Sequence, residues 1–296
     1  LHRRRHSFPT RRSSDLGTIT ITNSGGTTFS STVSAATVAI TSTTAGNAVT
    51  FADNLTLTSG MTVGAGSAAY NVAINGTTNT IAGTTTFANT GTVTLGNGSD
   101  TINFTGGVIA TAPSAISVSG TVTAAGTGLI SLGDSDTAIT IAGDSTIGGT
   151  STGQITTGNI NLNNNLTVGA GASSSTPISL AAITGPSSGT KNLTINTAGI
   201  VNVSGAVGTN IGTLTITNSG GTTFSGAVSA STVTLSNTTG TIAFNGTLTA
   251  TTLNTAAQAY NLALNASSGT ITNAVTFSNT GTLTLGASGG AGTQTY

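Results

Sequence analysis

Apolar and polar residues alternate along this chain in short runs, of which TITIT at residues 18–22 and NLTLT at residues 54–58 are typical. A period of two places the apolar side chains on one side of an extended strand and threonine on the other. Threonine and valine disfavour helices through their restricted χ1 angles, and glycine interrupts each run before a helix of about ten residues could form. Clusters of glycine and asparagine, as at residues 23–26, 96–98 and 163–165, favour tight corners between strands. The pattern predicts an all-β protein.

The strands recur at a nearly regular spacing. Eleven pairs of apolar residues with one polar residue between them mark the recurrence: Ile19/Ile21, Val38/Ile40, Leu55/Leu57, Val72/Ile74, Val93/Leu95, Ile116/Val118, Ile139/Ile141, Ile160/Leu162, Ile178/Leu180, Leu193/Ile195 and Leu214/Ile216. The ten intervals between them cover 195 residues with a mean of 19.5, and single intervals run from 15 to 23. This spacing predicts a single-stranded, right-handed parallel β-helix, a β-solenoid with coils of about 20 residues.

A longer repeat contains the short one. The segment GTITITNSGGTTFS at residues 17–30 returns as GTLTITNSGGTTFS at residues 212–225, and residues 70–96 match residues 260–286 at an offset of 190. A chain that keeps its pattern across such length changes is built from locally closed units. We therefore expect a solenoid repeat region over residues 17–296, with a 195-residue long repeat whose second copy starts at Gly212 and is truncated.

Charge is scarce and unevenly placed. Charged residues are 4% of the chain, against roughly a quarter in ordinary soluble domains. Residues 17–296 carry one base and five acids, namely Lys191, Asp53, Asp100, Asp134, Asp136 and Asp144. Phosphate recognition needs several basic side chains, so nucleic-acid binding is not expected. No apolar run of about 18 residues occurs, so direct membrane insertion is not expected, and the lack of cysteine excludes disulfides.

The first sixteen residues, LHRRRHSFPTRRSSDL, differ from the rest in charge, histidine content and lack of alternation. They resemble the peptide that results when sequencing-adapter DNA is translated. We interpret residues 1–16 as a non-native or disordered segment. The alternative is a basic arm that binds nucleic acid or an anionic membrane.

Three repeated units carry a family resemblance: TTFSGAVSASTVTL at residues 222–235, TTFANTGTVTLG at 85–96 and VTFSNTGTLTLG at 275–286. They resemble the β-strand repeats of filamentous-haemagglutinin-like and autotransporter-type surface adhesins. The resemblance implies export across the Gram-negative outer membrane and an extracellular or cell-surface location. It also implies a non-catalytic stalk or adhesin segment that contacts glycans or proteins of a host or of neighbouring cells. We expect the sequence to be a fragment of such a protein.

Two other functions stay open. The first is a carbohydrate-active β-helix. Its catalytic coils would have to lie outside this chain, because residues 17–296 contain no His, Arg or Glu. Asp134 and Asp136 could form a carboxylate pair, although a corner in which they bind local amides is the simpler interpretation. An ice-binding or biofilm-matrix solenoid is the other alternative, suggested by threonine arrays such as residues 213–217. Ice binding needs a flat grid, which the variable coil spacing is expected to disrupt.

One segment resembles a metal-binding motif. LGNGSDTINF, residues 95–104, is similar to the calcium-binding nonapeptide of repeat-in-toxin proteins, with Gly96, Gly98, Asp100 and Ile102 in place and Leu95 departing from it. Calcium in those proteins lies between successive copies, and a single Asp does not supply the several oxygen ligands that calcium needs. Asp100 is the one calcium candidate. No catalytic or cofactor-binding residue, and no cofactor, is predicted.

Overall fold

The computed structural model describes residues 16–171, 174–187, 189–286 and 294–296. Throughout these residues the regular structure is 30 β-strands without a helix, and every strand pair is parallel. The chain forms a β-solenoid of about 12 turns with about 22 residues in each turn. The all-β solenoid prediction is therefore confirmed. Apart from Leu16, the segment interpreted as non-native or as a basic arm lies outside the described residues.

The strand bounds in the first half are β1 (Thr18–Ile21), β2 (Thr27–Phe29), β3 (Val33–Ile40), β4 (Ala48–Phe51), β5 (Leu55–Val63), β6 (Asn71–Ile74), β7 (Thr78–Ile81), β8 (Thr85–Phe87), β9 (Thr92–Leu95), β10 (Thr101–Phe104), β11 (Gly107–Ala110), β12 (Ala115–Ala124), β13 (Leu129–Leu132) and β14 (Ala138–Gly149). Those in the second half are β15 (Ile155–Thr157), β16 (Ile160–Asn161), β17 (Leu166–Gly171), β18 (Ile178–Leu180), β19 (Ile183–Thr184), β20 (Lys191–Thr197), β21 (Ile200–Val203), β22 (Val207–Ser219), β23 (Gly221–Phe224), β24 (Val228–Thr238), β25 (Thr241–Phe244), β26 (Leu248–Thr255), β27 (Asn261–Leu264), β28 (Gly269–Ile271), β29 (Leu283–Leu285) and β30 (Gln294–Thr295).

The strands stack into three parallel ladders, one for each side of the coil. Ladder 1 begins with β1 and continues through the second half of β3, the second half of β5 and then β8. Ladder 2 begins with β2, β4, β6 and β9. Ladder 3 begins with the first halves of β3 and β5 and continues through β7 and β10. Long strands such as β12 turn a corner and belong to ladders 2 and 3.

Aliphatic and aromatic side chains fill the inside of the coils. Val38, Val49 and Leu55, one from each ladder, are fully buried. Side chains of the same kind stack on one another between coils. In the Phe224–Phe244 pair, for example, the ring centroids are 4.8 Å apart and the rings are nearly parallel. Each such burial contributes about 1.5–3 kcal/mol, and a slip of one residue would turn the whole set outward. The alternation seen in the sequence therefore sets the strand register.

The coil is slightly longer than the sequence spacing indicated, about 22 residues rather than 20. The reason is that the apolar pairs taken as successive coils do not all lie on one ladder. Val38 lies on ladder 1, Leu55 on ladder 3 and Val72 on ladder 2, so each of these two steps covers two thirds of a turn. The steps from Ile160 to Ile178 and on to Leu193 are short for the same reason.

The long repeat also changes ladders. Residues 18–21 lie on ladder 1, whereas their repeat at residues 213–216 lies on ladder 3. Residues 71–74 lie on ladder 2, and their repeat at residues 261–264 lies on ladder 1. One long repeat is therefore not a whole number of turns. Its second copy presents the same sequence one third of a turn away around the rod.

Candidate functional site: the polar face of ladder 3

The two neighbouring aspartates occupy a corner between β13 and β14. Oδ1 of Asp134 accepts the backbone N–H groups of Asp136 and Thr137, each at 3.0 Å. This arrangement is an Asx turn, in which a short carboxylate substitutes for a backbone acceptor. The corner interpretation of Asp134 and Asp136 agrees with this geometry, and neither residue lies in a strand.

Asp100, the calcium candidate, also closes a corner. Its side chain is buried, and Oδ2 accepts the backbone N–H of Asn97 at 2.7 Å. Its backbone carbonyl accepts the N–H of Thr121 on the next coil at 2.7 Å. Across the part of the chain that the structure describes, no three His, Cys, Asp or Glu side chains are grouped so as to hold a metal ion. Asp100 stays a calcium candidate with a single carboxylate, and metal analysis after dialysis tests it.

Asp53 links two coils at the corner that precedes ladder 3. Its Oδ1 accepts the backbone N–H of Asn54 at 2.7 Å, and its Oδ2 accepts the hydroxyl of Thr32 at 3.1 Å. These two hydrogen bonds, that from Asn54 first, favour the ionised form and lower the pKa of the Asp53 carboxyl. The carboxylate thus links two neighbouring coils by hydrogen bonds at the surface of the solenoid.

Further along the same corner, side-chain carbonyl oxygens accept backbone N–H groups from one coil to the next. Oδ1 of Asp144 accepts the N–H of Asn165 at 3.0 Å, and Oδ1 of Asn165 accepts the N–H of Asn192 at 3.0 Å. Oδ1 of Asn192 in turn accepts the N–H of Thr213 at 2.9 Å. We call these four residues the amide ladder. It holds successive coils in register at the edge of ladder 3.

Next to the amide ladder, the outward face of ladder 3 carries a row of threonines. The strand pairings place eight threonines from eight coils in register: Thr78, Thr101, Thr121, Thr146, Thr167, Thr194, Thr215 and Thr234. We call this row the threonine column. With coils about 4.8 Å apart, its seven steps extend for roughly 34 Å.

The threonine column adds to one sequence expectation. Variable coil spacing is expected to disrupt a flat threonine grid, yet a single column stays in register on ladder 3, because the extra residues lie in corners rather than in strands. Thr167 and Thr194 are paired although 27 residues separate them. Within the described ranges, ladders 1 and 2 show no comparable row. On ladder 2, for example, Ala73 interrupts the outward row between Thr50 and Thr94.

A polar groove of about 330 Å³ opens where the amide ladder meets the threonine column. Its lining includes the carboxylate of Asp144, the amide of Asn165 and the hydroxyls of Thr121, Thr146 and Thr167. Asp144 is exposed, and both of its hydrogen bonds from Asn165 use Oδ1, which leaves Oδ2 available. Sequence reasoning named Asp144 only as a charge, because its neighbours become visible only once the register is known.

No family model matches this chain, and neither a curated protein nor a solved structure matches it. Among the described residues, no helix has the length and apolar character needed to cross a membrane. The fold class, a parallel β-solenoid, therefore rests on the geometry of the chain itself.

Proposed function

We propose that this chain is a non-catalytic stalk or adhesin segment of a large secreted or surface-displayed bacterial protein. The observation that supports the proposal is the continuity of parallel backbone pairing on the sides of the coil through about 12 turns. At about 4.8 Å for each turn, such a stack is a rod of roughly 58 Å. A rod whose backbone is paired from coil to coil holds whatever it carries at a fixed distance from its anchor.

The outer face of the rod suits weak, repeated contacts. Its strands present Thr, Ser and Asn, and residues 17–296 carry six charged side chains in all. Individual hydrogen bonds to such groups contribute about 0.5–1.5 kcal/mol, so useful attachment requires many contacts at once. The location we propose is the exterior of a Gram-negative cell, with surface glycans or proteins as partners.

Three of the described carboxylates give the carbohydrate-active alternative no support. Asp53, Asp100 and Asp134 each accept a hydrogen bond from a nearby backbone N–H group in a corner. Acid–base catalysis needs titratable groups directed at a substrate, whereas these three side chains are directed at their own turns.

The stalk proposal is tested on cells that produce the protein within its full gene product. An epitope inserted at residues 125–127, a corner with an exposed glycine, reports accessibility. We expect an antibody to bind intact cells, and we expect removal of one long repeat to bring the distal end closer to the cell by about 40 Å. Binding that requires cell lysis would contradict the proposal. So would release of reducing sugar ends from neutral or acidic polysaccharides by the purified chain.

A further inference from the structure

We propose that ladder 3 binds an extended, neutral glycan chain that lies along the threonine column and contacts Asp144 in the adjoining groove. The inference rests on the proposed adhesive function, and it names the ligand class and the place where the ligand binds. Ladders 1 and 2 share the fold of ladder 3 without its threonine row, as where Ala73 interrupts ladder 2, so they serve as internal controls.

The first supporting observation is that the groove presents hydroxyls with no partner. Those of Thr121, Thr146 and Thr167 make no hydrogen bond to another described residue. Some corner threonines are engaged instead, as where Thr197 Oγ1 donates to the carbonyl of Thr176 at 2.7 Å, and at the end of the column the Thr234 hydroxyl accepts the side-chain amide of Asn254 at 3.4 Å. A hydroxyl both donates and accepts. The three free hydroxyls in the groove therefore complement a ligand that is itself a string of hydroxyls.

The second observation is the acceptor beside the column. Oδ1 of Asp144 is used by Asn165, whereas Oδ2 has no partner among the described residues. The amide of Asn165 is held by Asp144 on one side, and its Oδ1 accepts the N–H of Asn192 on the other. The carboxylate is thus fixed in place before a ligand arrives, which lowers the entropic cost of binding. A free carboxylate oxygen is a strong acceptor for a sugar hydroxyl.

Charge selects a neutral ligand. Asp144 is the one formally charged residue among those that line the groove, so an anionic polymer is repelled there. A cationic polymer would need several carboxylates along the column. Of the five aspartates in residues 17–296, however, Asp144 is the one in the lining of the groove. A neutral polyol fits both constraints.

Shape favours a chain over a crystalline surface. The threonine column is a linear feature of roughly 34 Å at about 4.8 Å for each coil, and it borders a shallow, open groove. Ice is the other repeating hydroxyl lattice that a threonine row could match, but a single column beside a carboxylate suits a flexible chain better than a flat crystal face. The aromatic rings of the core, such as Phe87 and Phe104, are fully buried. Because no aromatic ring of the described residues lies in the lining of the groove, single contacts are weak and affinity comes from length.

The test is native-gel affinity electrophoresis of the full chain with hydroxyethylcellulose as the neutral polymer and polygalacturonate as the acidic one. We expect hydroxyethylcellulose to retard the protein and polygalacturonate to leave its mobility unchanged. The variant Thr146→Val with Thr167→Val removes two hydroxyls and keeps the β-branched shape, so its apparent affinity is expected to fall about tenfold. The matched control, Thr50→Val with Thr94→Val on the outward row of ladder 2, is expected to bind as the unmodified chain does.

Three results would overturn the inference: no retardation by hydroxyethylcellulose, equal loss in the ladder 3 and ladder 2 variants, or stronger retardation by polygalacturonate. Faceting of ice crystals by the chain without polysaccharide binding would also overturn it and would assign the column to ice. Each of these results leaves the epitope experiment on intact cells unaffected. The glycan inference and the stalk proposal can therefore fail separately.

Discussion

Two corners of the solenoid have nearly the same sequence and lie on different ladders. In the first, Tyr70 precedes strand β6 of ladder 2, which begins at Asn71, and residues 89–92 (NTGT) lie against them on the next coil. In the second, Tyr260 precedes strand β27 of ladder 1, which begins at Asn261, and residues 279–282 (NTGT) lie against them on the next coil. We call these the first and second Tyr–Asn corners. A corner sequence therefore specifies its own local geometry without specifying which side of the rod it occupies.

Two of the hydrogen bonds that join the coils are the same in both corners. Asn71 Oδ1 accepts the N–H of Thr92 at 2.8 Å, and Asn261 Oδ1 accepts the N–H of Thr282 at 2.8 Å. The amide groups of the upper asparagines donate to the tyrosine carbonyls, at 2.9 Å in the first corner and 3.2 Å in the second. The shared contacts explain why this sequence returns in the long repeat.

The corners differ in how tightly they are closed. The hydroxyl of Tyr70 donates to the carbonyl of Gly64 at 2.5 Å, whereas that of Tyr260 is 3.5 Å from the carbonyl of Leu235. Asn89 is fully buried, whereas Asn279 is partly exposed. The same residues should therefore contribute more to stability in the first corner than in the second, and the predictions below test this.

The largest effect is expected from a methyl group at the glycine of the first corner. A Cβ on Gly91 would lie 2.2 Å from the carbonyl oxygen of Tyr70, which is part of the backbone and cannot move aside cheaply. We expect Gly91→Ala to lower the free energy of unfolding by about 3 kcal/mol, measured by urea denaturation followed by circular dichroism.

Two variants complete this test. Gly281→Ala meets the carbonyl of Tyr260 at 2.3 Å, but its corner is more open, so we expect about half the loss. Gly25→Ala is the control, since a Cβ there meets nothing within 4 Å, and it should change stability by less than about 0.5 kcal/mol. Equal losses for Gly91→Ala and Gly25→Ala would contradict the stacking of these corners.

The next effect concerns the asparagine that links the coils. Asn71 Oδ1 also accepts the hydroxyl of Thr92 at 3.0 Å, and its Nδ2 donates to the carbonyl of Gly46 at 3.0 Å. We expect Asn71→Ala to cost about 2 kcal/mol and Asn261→Ala about 1 kcal/mol, measured in the same denaturation experiment. Asn71→Asp keeps the acceptor for Thr92 and should fall between Asn71→Ala and the unmodified chain. A larger loss for Asn261→Ala than for Asn71→Ala would reverse the ranking of the corners.

Much of this architecture could be predicted from the sequence, because alternation decides which side chains are buried. The alternation predicts that Val72 and Val93 are inward residues of successive coils, and they are paired on ladder 2. It also predicts that Leu55 lies one coil beyond Val38, whereas Leu55 lies on another ladder. The three sides of the coil use the same kinds of inward residue. Periodicity alone therefore cannot distinguish a full turn from two thirds of one.

The polar face of ladder 3 was less accessible to sequence reasoning. Which threonines become neighbours depends on how many residues each corner takes up. Thr101 and Thr121 are paired at a separation of 20 residues, whereas Thr121 and Thr146 are paired at 25. Side-chain hydrogen bonds such as that between Asp144 and Asn165 join the corners of successive coils, and these can be assigned only once the coils are stacked.

A smaller effect with a pH signature is expected from the tyrosine hydroxyls. Burial raises the pKa of Tyr70 to about 12, above its ordinary value of 10. The folded state therefore favours the neutral phenol, and its contribution is fully present below pH 10 and is lost as the pH rises through about 12. We expect Tyr70→Phe to cost about 1 kcal/mol at pH 8 and to reduce the fall in melting temperature between pH 10 and 12.

Tyr260 provides the matched comparison for that experiment. Burial raises its pKa as well, but hydrogen bonds from the backbone of Ala256 and the side chain of Thr255 lower it and so oppose the shift. Tyr260→Phe is therefore expected to change both the stability at pH 8 and the alkaline transition less than Tyr70→Phe does. An alkaline transition that stays unchanged in Tyr70→Phe would show that other groups cause it.

The smallest effect is expected to have the opposite sign. Thr85, on the inward face of β8, has a fully buried hydroxyl with no hydrogen-bond partner. The corresponding position of the second copy, 190 residues later, is Val275. Valine matches the shape of threonine and removes a polar group that is buried without compensation, so Thr85→Val should raise the free energy of unfolding by up to about 1 kcal/mol. Val275→Thr is the reciprocal variant, and because Val275 is only partly buried its loss should be smaller than the gain at Thr85. Destabilisation by Thr85→Val would mean that this hydroxyl has a partner in solution and that the two copies differ here for a structural reason.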